Sequence, residues 1–201
     1  MRETEEPQST WRRVRALAKG TWARNIVGLL VLGTIVGTLV AIDRALTDDS
    51  TGPLDNRHPE LGEPAPLFAL KDSDGGLRRL DEYRGKTVWI NFWATTCGPC
   101  RRELPEIQRL ADQVGSEHLV VLEVNQREGA GRAESYWKEI GLHLPILLDT
   151  DGDVSQQYRL QGLPYNFFVD AQGVLRAFKP GFLSPDEMRS NLATLGVSVS
   201  G

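Results

Sequence analysis

Polar and apolar positions change their period several times along the chain, and each change marks an element. Residues 26–42, IVGLLVLGTIVGTLVAI, carry no charge. At about 1.5 Å rise per residue they reach the lower limit of a membrane-spanning helix. The stretch is apolar on every side, unlike the one-faced helix of a soluble core. A cleaved signal peptide stays open as the alternative, although LVAIDRALT offers no good A-x-A-like site. Residues 43–60, DRALTDDSTGPLDNRHPE, are polar and rich in turn formers, and read as a linker.

From residue 61 the pattern is that of a folded domain extending to residue 201. PLFALKDSDGGLRRLDEY predicts two short strands around the turn DSDGG. KTVWINFWA (86–94) has the β-branched and aromatic content of a strand. In GPCRRELPEIQRLADQV, Leu104, Ile107, Leu110, Ala111 and Val114 recur at helical spacing, and Pro105 predicts a kink that leaves the Arg101 carbonyl unpaired. HLVVLEVN (118–125) reads as a buried strand, AESYWKEIGL as a helix, LPILLD as a short strand and DVSQQYRL as a helix capped by Asp153. YNFFVD and GVLRAFK form a hairpin through AQG, and SPDEMRSNLATL is a closing helix with Ser184 at the N-cap and Pro185 at N1. The expectation is an α/β domain with a central mixed β-sheet flanked by helices on both faces.

Charge adds a direction to this picture. Arg12, Arg13, Arg15, Lys19 and Arg24 precede the apolar stretch, whereas Asp43, Asp48 and Asp49 follow it with Arg44 alone. That bias predicts a cytoplasmic segment at 1–25, a transmembrane anchor at 26–42 and an extracytoplasmic (periplasmic) domain at 61–201. Gly33 and Gly37 form a GxxxG, compatible with pairing of two spans. The net charge of -4, from 23 Lys+Arg against 27 Asp+Glu, gives no reason to expect nucleic acid as a partner.

Both cysteines of the chain, Cys97 and Cys100, sit in NFWATTCGPCRREL. A structural zinc needs four ligands, and His58, His118 and His143 are scattered, so neither a metal nor any other cofactor is expected. A structural disulfide over so short a loop adds only about 2 kcal/mol, against about 4.7 for a 100-residue loop. A dithiol that opens and closes fits better. Cys97 falls at a helix start, where free N–H groups and the helix dipole favour the thiolate, so it is the expected attacking sulfur. Cys100, one turn along, is the expected resolving sulfur.

NFWATTCGPCRRELP, LPILLDTDG and GLPYNFFVDAQG, in this order, resemble the membrane-anchored thioredoxin-like proteins of the TlpA/ResA type, which include cytochrome c maturation reductases. The resemblance covers about residues 61–195 and implies a thioredoxin-like fold. It also implies a cis-proline at Pro164 beside the sulfurs, a Leu163 backbone that pairs with substrate, and Glu103 as a carboxylate that helps proton transfer. Without the resemblance Glu103 would read as a solvated helix residue. Trp93 stands near enough to wall the substrate groove, although a strand-end aromatic is more often packing. Three departures from thioredoxin and the family bear on the site: Asn91 replaces thioredoxin's buried Asp, Thr96 replaces its Trp, and Tyr165 replaces the Thr usual after the family's cis-proline. The Gly-Pro pair, shared with thioredoxin, leans toward reduction. The implied partners are disulfides in exported proteins, with apocytochrome c the leading candidate, and a membrane electron donor of the DsbD/CcdA type. A copper-handling thiol module and a thiol peroxidase remain as alternatives; metal titration and peroxide consumption discriminate them.

Overall fold

The computed structural model describes residues 58–199, together with Leu30 and residues 32–39. Two compact units divide the chain, Met1–Asp55 and Asn56–Gly201. In the first, residues 32–39 are helical and expose Leu32, Ile35, Val36 and Leu39. No helix among the described residues is long and apolar enough to cross a membrane. Eight of the seventeen residues of the expected 26–42 anchor, and all of the 1–25 segment, lie outside the described residues.

The second unit is built on a seven-stranded sheet. Its elements run β1 (Ala69–Asp72), β2 (Leu77–Arg79), a 3-10 turn (Leu80–Tyr83), β3 (Thr87–Trp93), α1 (Gly98–Val114), β4 (Leu119–Gln126), α2 (Ala130–Glu139), β5 (Ile146–Asp149), α3 (Asp153–Gln157), β6 (Tyr165–Val169), β7 (Leu175–Pro180) and α4 (Pro185–Thr194). The strand order is β2-β1-β5-β4-β3-β6-β7. β3, β4 and β5 pair in parallel through the crossover helices α1 and α2, and the outer pairings are antiparallel. The sheet is therefore mixed, as the alternation of strands and helices predicts.

Every residue of β3 is buried, and its side chains divide by period two. Val88, Ile90 and Phe92 pack with Leu122, Val124, Phe167 and Tyr158 on one face. On the other, Trp89 meets Ile107 and Leu110 of α1 and Met188 and Leu192 of α4. Trp93 meets Cys100, Leu104 and the α2 residues Ala133, Tyr136 and Trp137. Between the two tryptophans, on that same face, stands Asn91, 0% exposed.

Several local expectations need correction. Asp153 does not cap α3: Gly152 holds the N-cap in the left-handed region, with φ 81°, and Asp153 is the first helical residue. The capping carboxylate comes from Asp149, which accepts the N–H groups of Val154 (3.1 Å) and Ser155 (2.8 Å). α3 also stops at Gln157, short of Leu160, because Arg159 turns left-handed at φ 58°. α2 starts at Ala130, earlier than AESYWKEIGL implies, and Gly141, at φ 71°, reverses the chain behind it. Nor does the folded unit begin at residue 61. His58, assigned to the linker, packs its ring 5.2 Å from Tyr165 and 5.1 Å from Phe178.

Candidate active site

β3 ends beneath the N-terminus of α1, and the four residues from Ala94 to Cys97 make the turn between them. Cys97 is the N-cap of α1, with extended backbone, and Pro99 lies in the first turn, where a missing N–H costs nothing. The N–H of Cys100 donates to Cys97 Sγ at 3.2 Å. The two sulfurs form a disulfide with Cα atoms 5.3 Å apart. Cys100 is 0% exposed, whereas Cys97 is half-buried and Thr96, Gly98 and Pro99 are exposed. One sulfur is thus partly open to solvent and the other is sheltered.

The turn is held by charged groups that sequence reasoning missed. Glu128, just after β4, accepts from the Thr95 N–H (2.8 Å), the Thr95 hydroxyl (2.6 Å) and Asn125 Nδ2 (2.9 Å). Burial pushes the Glu128 carboxyl up, but these donors outweigh it and leave the acid below its ordinary value. Arg101 donates twice to the Thr95 carbonyl, at 3.1 and 2.9 Å, and Arg132 to the Thr95 hydroxyl at 2.9 Å. Thr95 and Glu128 are ordinary polar residues in a loop, and only their convergence in space gives them a role.

Behind Cys100, one turn along α1, is Glu103. It is 0% exposed, which removes the solvated-residue reading. Its Oε1 accepts from Asn91 Nδ2 (2.9 Å) and Asn166 Nδ2 (3.3 Å), and its Oε2 from the Leu183 N–H (2.9 Å). Burial raises the Glu103 pKa above its ordinary value; the Leu183, Asn166 and Asn91 donors and the Arg102 charge oppose that rise without cancelling it. A carboxyl so placed holds a proton more readily than an exposed glutamate does.

The other expected site residues are distributed as follows. The Leu163–Pro164 bond is cis, and Pro164 is buried with its carbonyl accepting from Gly181 N–H at 2.8 Å. Leu163 and Cys97 both pack, half-buried, against the Trp93, Cys100 and Leu104 cluster. Among the described residues the Leu163 backbone has no hydrogen-bond partner. Trp93 does not wall a groove. It is 0% exposed and stacks on Trp137 with ring centroids 4.8 Å apart, so it is the floor beneath the cysteines. Phe182, next to Leu183 in the chain, is 36% exposed, with the Arg102 guanidinium 4.8 Å from its ring centroid. Tyr165, the departure after the cis-proline, is 5% exposed and pairs its hydroxyl with His58 Nε2 at 3.3 Å.

Such a site exchanges one disulfide for another, and the sheet that carries it is of the thioredoxin-like class. Comparison with known proteins narrows the class. The AhpC/TSA family model matches residues 61–178. The thiol-disulfide oxidoreductase ResA of Geobacillus thermodenitrificans is 33% identical over 135 residues, covering 67% of this chain and 78% of the relative. The thiol:disulfide interchange protein DsbE of Pseudomonas aeruginosa is 33% identical over 177 residues, covering 86% of this chain and 93% of that one. Among solved structures, the exposed lipoprotein thioredoxin Etrx1 of Streptococcus pneumoniae is 32% identical with TM-score 0.55, covering 65% of this chain and 100% of that one. The chain belongs to the AhpC/TSA family and is a thiol-disulfide oxidoreductase of the ResA/DsbE type.

Proposed function

We propose that this enzyme reduces disulfides in exported proteins from a position on the outer side of the cytoplasmic membrane, tethered by residues 26–42. The carrying observation is the asymmetry of the sulfurs: a half-buried Cys97 at a helix N-terminus and a fully buried Cys100 with an ionisable Glu103 one turn behind it. The Cys97 thiolate attacks a substrate disulfide, forming a Cys97–substrate bond and releasing the first substrate thiolate. Cys100 then gives its proton to Glu103 and attacks Cys97 Sγ. The Cys97–Cys100 bond forms, the second substrate sulfur leaves, and the two electrons of the dithiol have passed to the substrate.

Substrate contact falls to Leu163, whose free backbone beside Pro164 suits an extended peptide, and to the exposed ring of Phe182. The Gly98-Pro99 pair supports the reducing direction, and the charge bias around residues 26–42 supports export. Recharging then falls to a membrane dithiol donor of the DsbD/CcdA type, and haem-binding cysteine pairs of apocytochrome c are the leading substrates. A Cys100→Ser variant of the full chain, expressed in cells, arrests the reaction at the mixed disulfide. Exported proteins with paired cysteines are the expected captures. Recovery of cytosolic proteins alone overturns the reading.

A further inference from the structure

Five buried side-chain atoms among the described residues lack a hydrogen-bond partner: Asn91 Oδ1, Trp93 Nε1, both carboxyl oxygens of Glu123, and Asn125 Oδ1. All lie on one face of two neighbouring strands. Asn91 pairs in register with Glu123, and Trp93 with Asn125. They sit on the face that carries Cys100 and Glu103, with Ile146 of β5 beside Glu123. Glu123 is 0% exposed, and an ionised carboxylate without a single donor is among the costliest things to bury.

The orientation of Asn91 follows from a group that has no choice. The Trp89 indole N–H only donates, and it meets Asn166 Oδ1 at 2.8 Å. That fixes the Asn166 amide, so the Asn91 atom 2.9 Å from Asn166 Oδ1 must be Nδ2, the same atom that donates to Glu103. Asn91 Oδ1 is left facing away from Glu103 and in need of a donor. On the strand about 4.8 Å away stands Glu123, which donates only when it carries a proton.

We propose that Glu123 is a positioning residue that carries a proton at neutral pH and donates it as a hydrogen bond to Asn91 Oδ1, holding the Asn91 amide on the Glu103 carboxylate. The two carboxyl groups then hold one proton between them, and the three hydrogen-bond donors decide which is charged: Glu103 has all of them and Glu123 has none. Burial, and after it the charge of Glu103, keep Glu123 in its acid form. The other groups on this face beside it are uncharged, Asn91 and Trp93 on β3, Asn125 on β4 and Ile146 on β5, with Cys100 on α1 titratable once the disulfide is reduced. Tyr136 of α2, against Trp93, and Glu128, beyond Asn125, are the next titratable groups. The role depends on Glu103 being the base for Cys100, as proposed above; the ionisation states do not.

The test is a carboxyl titration of the full chain labelled with 13Cδ-glutamate, in the parent, Glu123→Gln and Glu123→Leu. Glu123 is expected to remain in its acid form through pH 7. Glutamine keeps a permanent donor, so the Glu103 midpoint stays at the parent value. Leucine removes the donor and frees the Asn91 amide, and the Glu103 midpoint rises by about one pH unit, a tenfold change in its ionisation ratio. The acid limb of mixed-disulfide resolution should move with it. An ionised Glu123 at pH 7 in the parent, or a Glu103 midpoint unmoved by leucine, overturns the inference. If Glu123→Leu does not fold, the parent titration still decides. Failure of the Glu103 reading shows separately, as unchanged resolution in Glu103→Gln.

Discussion

Glu103 is where burial and hydrogen bonding most nearly balance. Desolvation disfavours its charge, three donors favour it, and the outcome is a pKa raised from the carboxylate range. An acid with a raised pKa is protonated, and useless as a base, until the pH climbs past that value. Resolution of a mixed disulfide should therefore weaken as pH falls through the Glu103 pKa. Glu103→Gln should abolish that limb and slow resolution at least tenfold near neutral pH, a threshold set below the roughly 10² to 10⁴-fold attributed to general-base help. Stopped-flow reduction of a disulfide peptide with acid quench measures resolution apart from the first attack, which should be unchanged. The sulfurs make a second residue-scale prediction. In the reduced protein, iodoacetamide should modify Cys97 well before Cys100, because only Cys97 has access to solvent and a helix start behind it. Comparison of the two single-serine variants reads this directly, and faster modification of Cys100 reverses the roles. Glu103 was legible in the sequence only through a family resemblance, since its spacing from Cys100 says nothing about burial. Glu123 and Asn166 did leave a trace: each is a polar residue in a strand run of apolar ones, at a position whose period-two neighbours face the core.

Elements carry the site as much as residues do. α4 begins with a capping box: Ser184 Oγ accepts the Glu187 N–H at 3.4 Å, and Glu187 Oε2 accepts from the Ser184 N–H (2.9 Å) and hydroxyl (2.7 Å). Lys179 Nζ adds a contact to Glu187 at 2.7 Å and, with Ser184, draws the Glu187 pKa down to about 2. The residue before the cap is Leu183, whose N–H reaches Glu103, so the start of α4 also fixes a donor of the active site. Ser184→Ala should cost about 1 kcal/mol of stability in denaturant unfolding. It should also raise the Glu103 midpoint. Two opposite pH dependences follow from these elements. Glu187 has a lowered folded pKa, so its contribution is present above the unfolded value and is lost as pH falls toward 2. Glu123 has a raised folded pKa, so the native state holds a proton that the unfolded chain has released, and stability declines as pH rises above about 4.3. The decline is at most about 1.4 kcal/mol per pH unit. Glu123→Gln should remove it, so that thermal unfolding of the variant gains on the parent with every step from pH 5 to 8. Parallel curves over that range mean that Glu123 is ionised in the folded protein.

At the scale of the whole molecule, the periods of the sequence foretold a mixed sheet with helices on both faces, but not how its ends are assembled. Local patterning locates β1 and β2 as a hairpin, yet nothing in ALKD says that Lys71 and Asp72 will pair with Leu148 and Leu147 of β5, because that contact spans more than 70 residues. The same distance hid His58, whose partners Tyr165 and Phe178 lie over 100 residues away. What patterning does state strongly is the break between residues 26–42 and the rest, an uncharged apolar run with basic residues before it and acidic ones after it. A domain that reduces disulfides has a steady supply of substrate only where disulfides form and persist, outside the cytoplasm. In the reading proposed above, orientation by the Lys/Arg bias places the catalytic domain on that side. Full-length protein should therefore fractionate with the membrane, and protease added to spheroplasts should digest the catalytic domain while intact cells protect it. A full-length product in the cytosol removes the extracytoplasmic role. A soluble exported product shortened at its N-terminus keeps the role but replaces the anchor with a cleaved signal, and the reductant must then meet its membrane electron donor by diffusion rather than by tether.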